Sequence, residues 1–170
     1  MKRSVIIFLL MFSIDLSGQK LPANVEFVGY KNQVLLAKKE ALKAPGHLTS
    51  GEAVRVGCDQ GECYFDIEYK GRTVKQIVGD DITRLTIYEY DFGADTDIEI
   101  VVVNEYKGTA SLFIFSYSKG IIQKLFEKEI KLNKVIIKKD YIEYYLPGGM
   151  ESMWHYYLGK FWEMTPVKYD

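Results

Sequence analysis

Four carboxylates stand close together near the middle of the chain: Asp91, Asp95, Asp97 and Glu99, spaced two or four residues apart. Calcium takes about six to eight oxygen ligands, so a short loop that binds it must curl and aim several carboxylates and carbonyls inward. Numbered from Asp91, the four acids fill positions 1, 5, 7 and 9 of such a loop. Gly93, at position 3, brings no side-chain oxygen, and Thr96 stands at position 6, where a glycine would ease the sharp turn. Calcium is the expected cofactor if the loop is a metal site, with Asp91, Asp95, Asp97 and Glu99 as ligands. The other expectation is a solvated acidic turn at a strand entrance. Without a cation the carboxylates repel one another, which raises the pKa of some of them.

The two cysteines are Cys58 and Cys63, with strand-like residues on both sides. Facing each other across a four-residue turn, they fit a hairpin disulfide, provided the chain reaches an oxidising compartment. The spacing is not C-x-x-C, and no third or fourth thiol exists to complete a metal site. His47 and His155 are the only histidines, and no H-E-x-x-H, G-x-S-x-G or P-loop pattern is present. Glu143 and Glu151 could face each other across the Pro147–Gly149 loop as paired glycosidase carboxylates do. Solvated acids across a strand loop are the commoner arrangement, so a hydrolase is the weakest of the functional expectations.

A second group of residues suits binding better than catalysis. Tyr141, Tyr144, Tyr145, Trp154, His155, Tyr156, Tyr157, Phe161 and Trp162 crowd one C-terminal region. Strand alternation sends Trp154, Tyr156 and Leu158 to one face and His155 and Tyr157 to the other. One face is core; the other is either buried as well or presents a Trp/Tyr/His surface of the kind found at protein interfaces and sugar platforms. Partner contact is expected through Trp154, His155, Tyr157 and Trp162, and through the acidic tip Asp59 and Glu62. The loops 91–97 and 147–152 complete the expected contact surface.

The acidic loop is followed by the apolar runs Ile98–Val103 and Ala110–Phe115. This arrangement resembles one blade of the FG-GAP/VCBS repeat family, whose repeats carry a D-x-D-x-D-G-x-x-E loop before an apolar strand. The resemblance spans about residues 87–129, and Gly93 and Thr96 depart from its pattern. It implies an antiparallel propeller-blade-like meander, with calcium in the loop. Small periplasmic proteins with such repeats are similar to some bacterial lysozyme inhibitors and immunity proteins, so the resemblance also implies an inhibitory binding role.

These residues need elements to hold them. Lys2 and Arg3 precede an apolar run from Val5 to Ile14, broken only by Ser13, and Asp15-Leu-Ser-Gly18 follows, ending in small residues. Basic, apolar and small regions in that order read as a secretory signal peptide over 1–18, cut before Gln19. No cysteine lies near the cut, so a lipid anchor there is not expected, and the apolar run is shorter than the roughly twenty residues a bilayer span needs. The formal charge of the 170 residues is −1. Removing Lys2, Arg3 and Asp15 takes away two positive charges and one negative, and leaves −2. That balance argues against nucleic acid as a partner and favours a protein partner, a basic enzyme or toxin.

Residues 19–170 form one expected domain. Short runs rich in Tyr, Phe, Val and Ile alternate with turn residues, and sustained helical periodicity is absent. The expected fold is a single antiparallel all-β domain, a twisted sheet curling into a sandwich or open barrel, with little helix. Val25–Val28 and Gln33–Ala37 flank a turn-like stretch, and a helical turn is expected over 38–44. Eight acids stand between Asp80 and Glu105, and seven lysines between Lys119 and Lys139. The acidic run would steer a basic partner, unless neighbouring strands neutralise each other. The leading expectation is a secreted or periplasmic, non-enzymatic inhibitor or immunity protein. The alternative is a structural or carbohydrate-binding module of the cell envelope.

Overall fold

The computed structural model describes residues 25–29, 31–39, 45–93, 98–107, 109–130 and 134–165. The expected signal peptide, most of the expected helical turn, and Asp95 and Asp97 lie outside these residues. The chain begins with β1 (Val25–Phe27), β2 (Asn32–Lys38), β3 (Gly46–His47), β4 (Ala53–Asp59) and β5 (Glu62–Tyr69). It continues through β6 (Arg72–Gly79), β7 (Arg84–Tyr90), β8 (Ile98–Tyr106), β9 (Thr109–Ser118) and β10 (Ile121–Ile130). It closes with β11 (Lys134–Lys138), β12 (Tyr141–Leu146), β13 (Gly149–Tyr157) and β14 (Lys160–Met164).

The fold is all-β, as expected, but the strands form three stacked sheets and none closes into a barrel. A C-terminal sheet runs in the order β1-β11-β12-β13-β14, a central sheet β10-β9-β8-β7-β2, and a cystine sheet β3-β4-β5-β6. The central sheet is buried on both faces. Along β8, Val101 and Val103 enter the core shared with the C-terminal sheet, while Ile100 and Val102 enter the core shared with the cystine sheet. On β9, Leu112 and Ile114 face the first core, and Phe113 and Phe115 the second. Period-two alternation therefore holds, but apolar residues are needed at both parities, and the strands read as unbroken apolar runs. Each fully buried Val, Ile or Phe side chain stabilises by roughly 1.5–3 kcal/mol.

Tight turns set the register. Gln60 and Gly61, both with positive φ (50° and 85°), join β4 to β5. Two consecutive residues in that region match the right-handed twist of the flanking strands. The first strand pair is the clearest departure from expectation. β1 and β2 do not form a hairpin: β1 pairs parallel with β11 in the C-terminal sheet, and β2 pairs antiparallel with β7 in the central one. The turn-like residues between them carry the chain from one layer to the next.

Among its described residues, the acidic run is only partly exposed: Asp80 and Asp91 face solvent. Glu89 and Glu99 are buried, at 6% and 0% exposure. Asp81 pairs with Lys39 at 2.6 Å, and Glu105 with Arg84 at 2.5 Å. The lysines of the later strands find other partners: Lys124 meets Glu127, Lys134 meets Glu26, and Lys128 sits over the Tyr144 and Trp154 rings. Neutralisation is local, and part of it is strand-to-strand: Arg84 and Glu105 stand directly opposite each other on β7 and β8.

Candidate functional site

The C-terminal sheet has one face in the core and one face outward, and β13 shows the split. Trp154 and Tyr156 turn inward, each 7% exposed. Trp154 meets Phe126 edge-on at 5.2 Å, so this candidate contact residue is a core residue. His155 and Tyr157 turn outward. Strand register then lines up a row across three strands, with Tyr141 opposite His155 and His155 opposite Trp162. A second row sets Glu143 opposite Met153 and Met153 opposite Met164. The Tyr141 and His155 rings stack at 4.7 Å and 17°, and His155 and Tyr157 at 6.0 Å and 19°. Trp162 Nε1 donates a 3.3 Å hydrogen bond to the Tyr157 carbonyl. Tyr157 and Trp162 remain 58% and 57% exposed. The result is a nearly flat aromatic and methionine surface beside the edge strand β14. Leu158, expected inside, belongs to the β13–β14 turn and is exposed at its tip.

A polar knot borders this surface. Lys138 Nζ lies 2.6 Å from Glu143 Oε1, and the Tyr145 hydroxyl donates to Glu143 Oε2 at 2.9 Å. The hydrogen bond with Glu143 raises the pKa of Lys138, and it raises that of Tyr145 as well. Both Glu143 oxygens are thus occupied by fixed partners. Glu151 is the extra residue where the β12–β13 register shifts, and its side chain is exposed.

The acidic tip lies elsewhere. Cys58 and Cys63 are directly opposed in β4 and β5 and form a disulfide, with Cα atoms 4.0 Å apart. Asp59 and Glu62 form the last strand pair beyond it, exposed on either side of the Gln60–Gly61 turn. This braced tip belongs to the cystine sheet, with the central sheet between it and the aromatic face. The two sets of candidate contact residues are therefore not brought together.

Of the candidate calcium ligands, two are in view. Asp91 accepts a 3.1 Å hydrogen bond from the Gly93 N–H. Glu99 accepts one from the Phe92 N–H at 3.1 Å on Oε2 and one from the Tyr156 hydroxyl at 2.7 Å on Oε1. A cation there would compete with both donors for the same oxygens. Among the described residues, no three His, Cys, Asp or Glu side chains converge as metal ligands.

Sequence reasoning missed a cleft of about 480 Å³ between the central and cystine sheets. The turn before β4 supplies Leu48 and Glu52; Tyr69 comes from β5, Glu89 from β7 and Tyr117 from β9. Glu89 is saturated: it accepts from the Thr49 N–H at 2.9 Å, the Thr49 hydroxyl at 2.6 Å and the Asn32 amide at 2.7 Å. The Tyr117 hydroxyl oxygen is buried, beside the Glu52 carboxylate and the Gly120 backbone. Burial first, and the nearby Glu52 charge second, push its pKa up to about 12. Glu52 and Tyr117 are far apart in the chain, and no motif links them.

No protein-family model, curated protein or solved structure matches the chain.

Proposed function

We propose that this is an exported, non-enzymatic binding protein that recognises a protein partner through the outer face of β12–β14. The carrying observation is the exposed row of Tyr157 and Trp162 beside stacked Tyr141 and His155, flanked by Met153 and Met164. Solvent exposure of large apolar groups is costly unless something covers them, and aromatic residues and Met are enriched at protein interfaces. The most concrete form is an inhibitor or immunity protein that blocks a wall-targeting enzyme or an antibacterial toxin. The disulfide supports export, since such bonds persist in oxidising compartments. The exposed, braced Asp59 and Glu62 offer a separate acidic contact for a basic partner.

Capture on immobilised protein tests this reading. Envelope and culture-supernatant proteins should yield a stoichiometric partner, lost when Tyr157→Ala and Trp162→Ala are combined. Capture unchanged by that pair of substitutions would refute the assigned face. The flat stacking of Tyr141 and His155 favours one second reading, a carbohydrate-binding module of the cell envelope. Retention on wall polysaccharide, with no protein captured, would select it.

A further inference from the structure

β14 is the last strand of the C-terminal sheet, and no described strand pairs with its outer edge. The direction of its backbone groups follows from its neighbours. The Tyr156 N–H donates to the Asp140 carbonyl at 2.7 Å, so the backbone groups of Tyr156 point towards β12. In an antiparallel strand, successive residues point their N–H and C=O to opposite sides. His155 and Tyr157 therefore point to β14, where Trp162 and Lys160 stand opposite them. The two-residue Leu158–Gly159 turn requires the same of Tyr157 and Lys160, which flank it. Phe161 and Glu163 are left with their backbone groups directed away from β13, and neither makes a backbone bond outside the sheet.

An unpaired, regular edge is a template for another strand, and proteins blunt the edges they keep single. Among the described residues, the other sheet edges are blunted. β1 has three residues and β3 two. Register shifts interrupt β2, β6 and β10 against their neighbours. β14 pairs with β13 without a shift, contains no proline, and has its only lysine at its first residue.

We propose that β14 pairs antiparallel with β14 of a second copy of this chain, about a two-fold axis at Trp162. Outward-pointing residues must face each other, which allows registers centred on Phe161, Trp162 or Glu163. Centred on Trp162, the whole strand is paired: Trp162 faces Trp162 of the second copy, Phe161 faces Glu163, and Lys160 faces Met164. Centred on Phe161, the pairing runs into the Leu158–Gly159 turn. Centred on Glu163, it sets two carboxylates directly opposite each other, which is destabilising. The Trp162 pair is of the non-hydrogen-bonded kind, in which opposed side chains come closest. The axis stands perpendicular to the sheet, so the aromatic faces of the two copies lie on the same side and join into one surface.

Sedimentation velocity of the purified protein over a concentration series tests the pairing, and a reversible shift from one copy to two is expected. Glu163→Pro removes an N–H that bonds nothing within the subunit, at an edge position where proline is tolerated. It should weaken dimerisation at least about tenfold while cooperative unfolding persists. Trp162→Lys sets two ammonium groups opposite each other and should separate the copies as well; it decides the matter if the proline variant does not fold. Register is read by a single added thiol, since Cys58 and Cys63 are bonded to each other. Trp162→Cys should form an interchain disulfide on oxidation, and Lys160→Cys should not. A monomer at every concentration, a dimer that survives either folded variant, or cross-linking at Lys160→Cys in place of Trp162→Cys overturns the proposal. So does a monomer that loses partner capture with Glu163→Pro, which would give the edge to a strand of another protein. Dimerisation is read on the protein alone, so it stands or falls independently of partner capture at Tyr157.

Discussion

The Tyr156 hydroxyl donates a 2.7 Å hydrogen bond to Glu99 Oε1, tying the inward face of the C-terminal sheet to the central sheet. Glu99 is fully buried, and its other oxygen accepts the Phe92 N–H at 3.1 Å. A buried carboxylate survives only when donors replace the water it has lost. Tyr156→Phe removes one of these donors and should cost about 1.5–3 kcal/mol, the usual range for a hydrogen bond to a charged group. Urea denaturation checks the value. A cost near zero would mean that the Tyr156 bond does not hold the two sheets together.

The same pair makes a prediction about metal. Both Glu99 oxygens are committed to Phe92 and Tyr156, so millimolar calcium should leave the melting temperature unchanged relative to chelator. An upward shift would show that the ion displaces these donors and that the loop from Asp91 to Glu99 is a calcium site after all.

Two-sided burial of the central sheet predicts the outcome of an alanine scan along β8. Ile100, Val101, Val102 and Val103 are each at most 1% exposed, with alternate residues in different cores. Alanine at every one of the four should destabilise, by about 1–4 kcal/mol given the cavity each leaves. In a sheet with one solvated face, the cost would fall away at every second position. Such an alternating result would contradict the three-layer arrangement.

Reducing the Cys58–Cys63 bond should lower stability by about 2 kcal/mol, the chain-entropy value for so short a loop. Comparing denaturation midpoints with and without reductant measures it. A loss of all cooperative structure on reduction would mean that the disulfide holds more than the β4–β5 hairpin.

Alkaline pH should destabilise the protein. Burial pushes Tyr88, Tyr90 and Tyr117 up to about 12 from the usual 10.0. Below pH 10 these phenols are neutral in both states and the stability is fully present. Between about 10 and 12 the unfolded chain releases protons that the folded chain retains, so stability falls as pH rises. Denaturation midpoints at pH 8, 10 and 11 should show the fall, and Tyr117→Phe should flatten part of it. A flat profile would count against the burial of these hydroxyls.

Strands were legible because local chemistry marks them. The Gln60–Gly61, Lys119–Gly120 and Leu158–Gly159 pairs take the positive φ that two-residue hairpins need. Sheet membership was not legible. β1 and β2 look like a hairpin, yet each finds its partner far along the chain, where burial of Val25 against Val135 and of Ala37 against Leu85 decides the pairing. The central acids misled for a related reason. Glu89 and Glu99 stand in an acidic run that reads as solvated, but Asn32, Thr49 and Tyr156, remote in sequence, supply the donors that bury them. Alternation did separate Trp154 and Tyr156 from His155 and Tyr157, so the aromatic face was partly visible. Met153, Met164 and the cleft at Glu52 and Tyr117 became apparent only with register and layer order in hand.

The outer face of β12–β14 is the surface we propose meets a partner. Hydroxyl-radical footprinting of the captured complex reads that surface directly, since Trp162, Tyr157, Met153 and Met164 are all oxidisable and lie on it. Protection of these four in the complex relative to the free protein, with the Asp59–Glu62 tip changing little, is the predicted result. Protection confined to the cystine-sheet tip, with Trp162 and Tyr157 oxidised as fast as in the free protein, would contradict it.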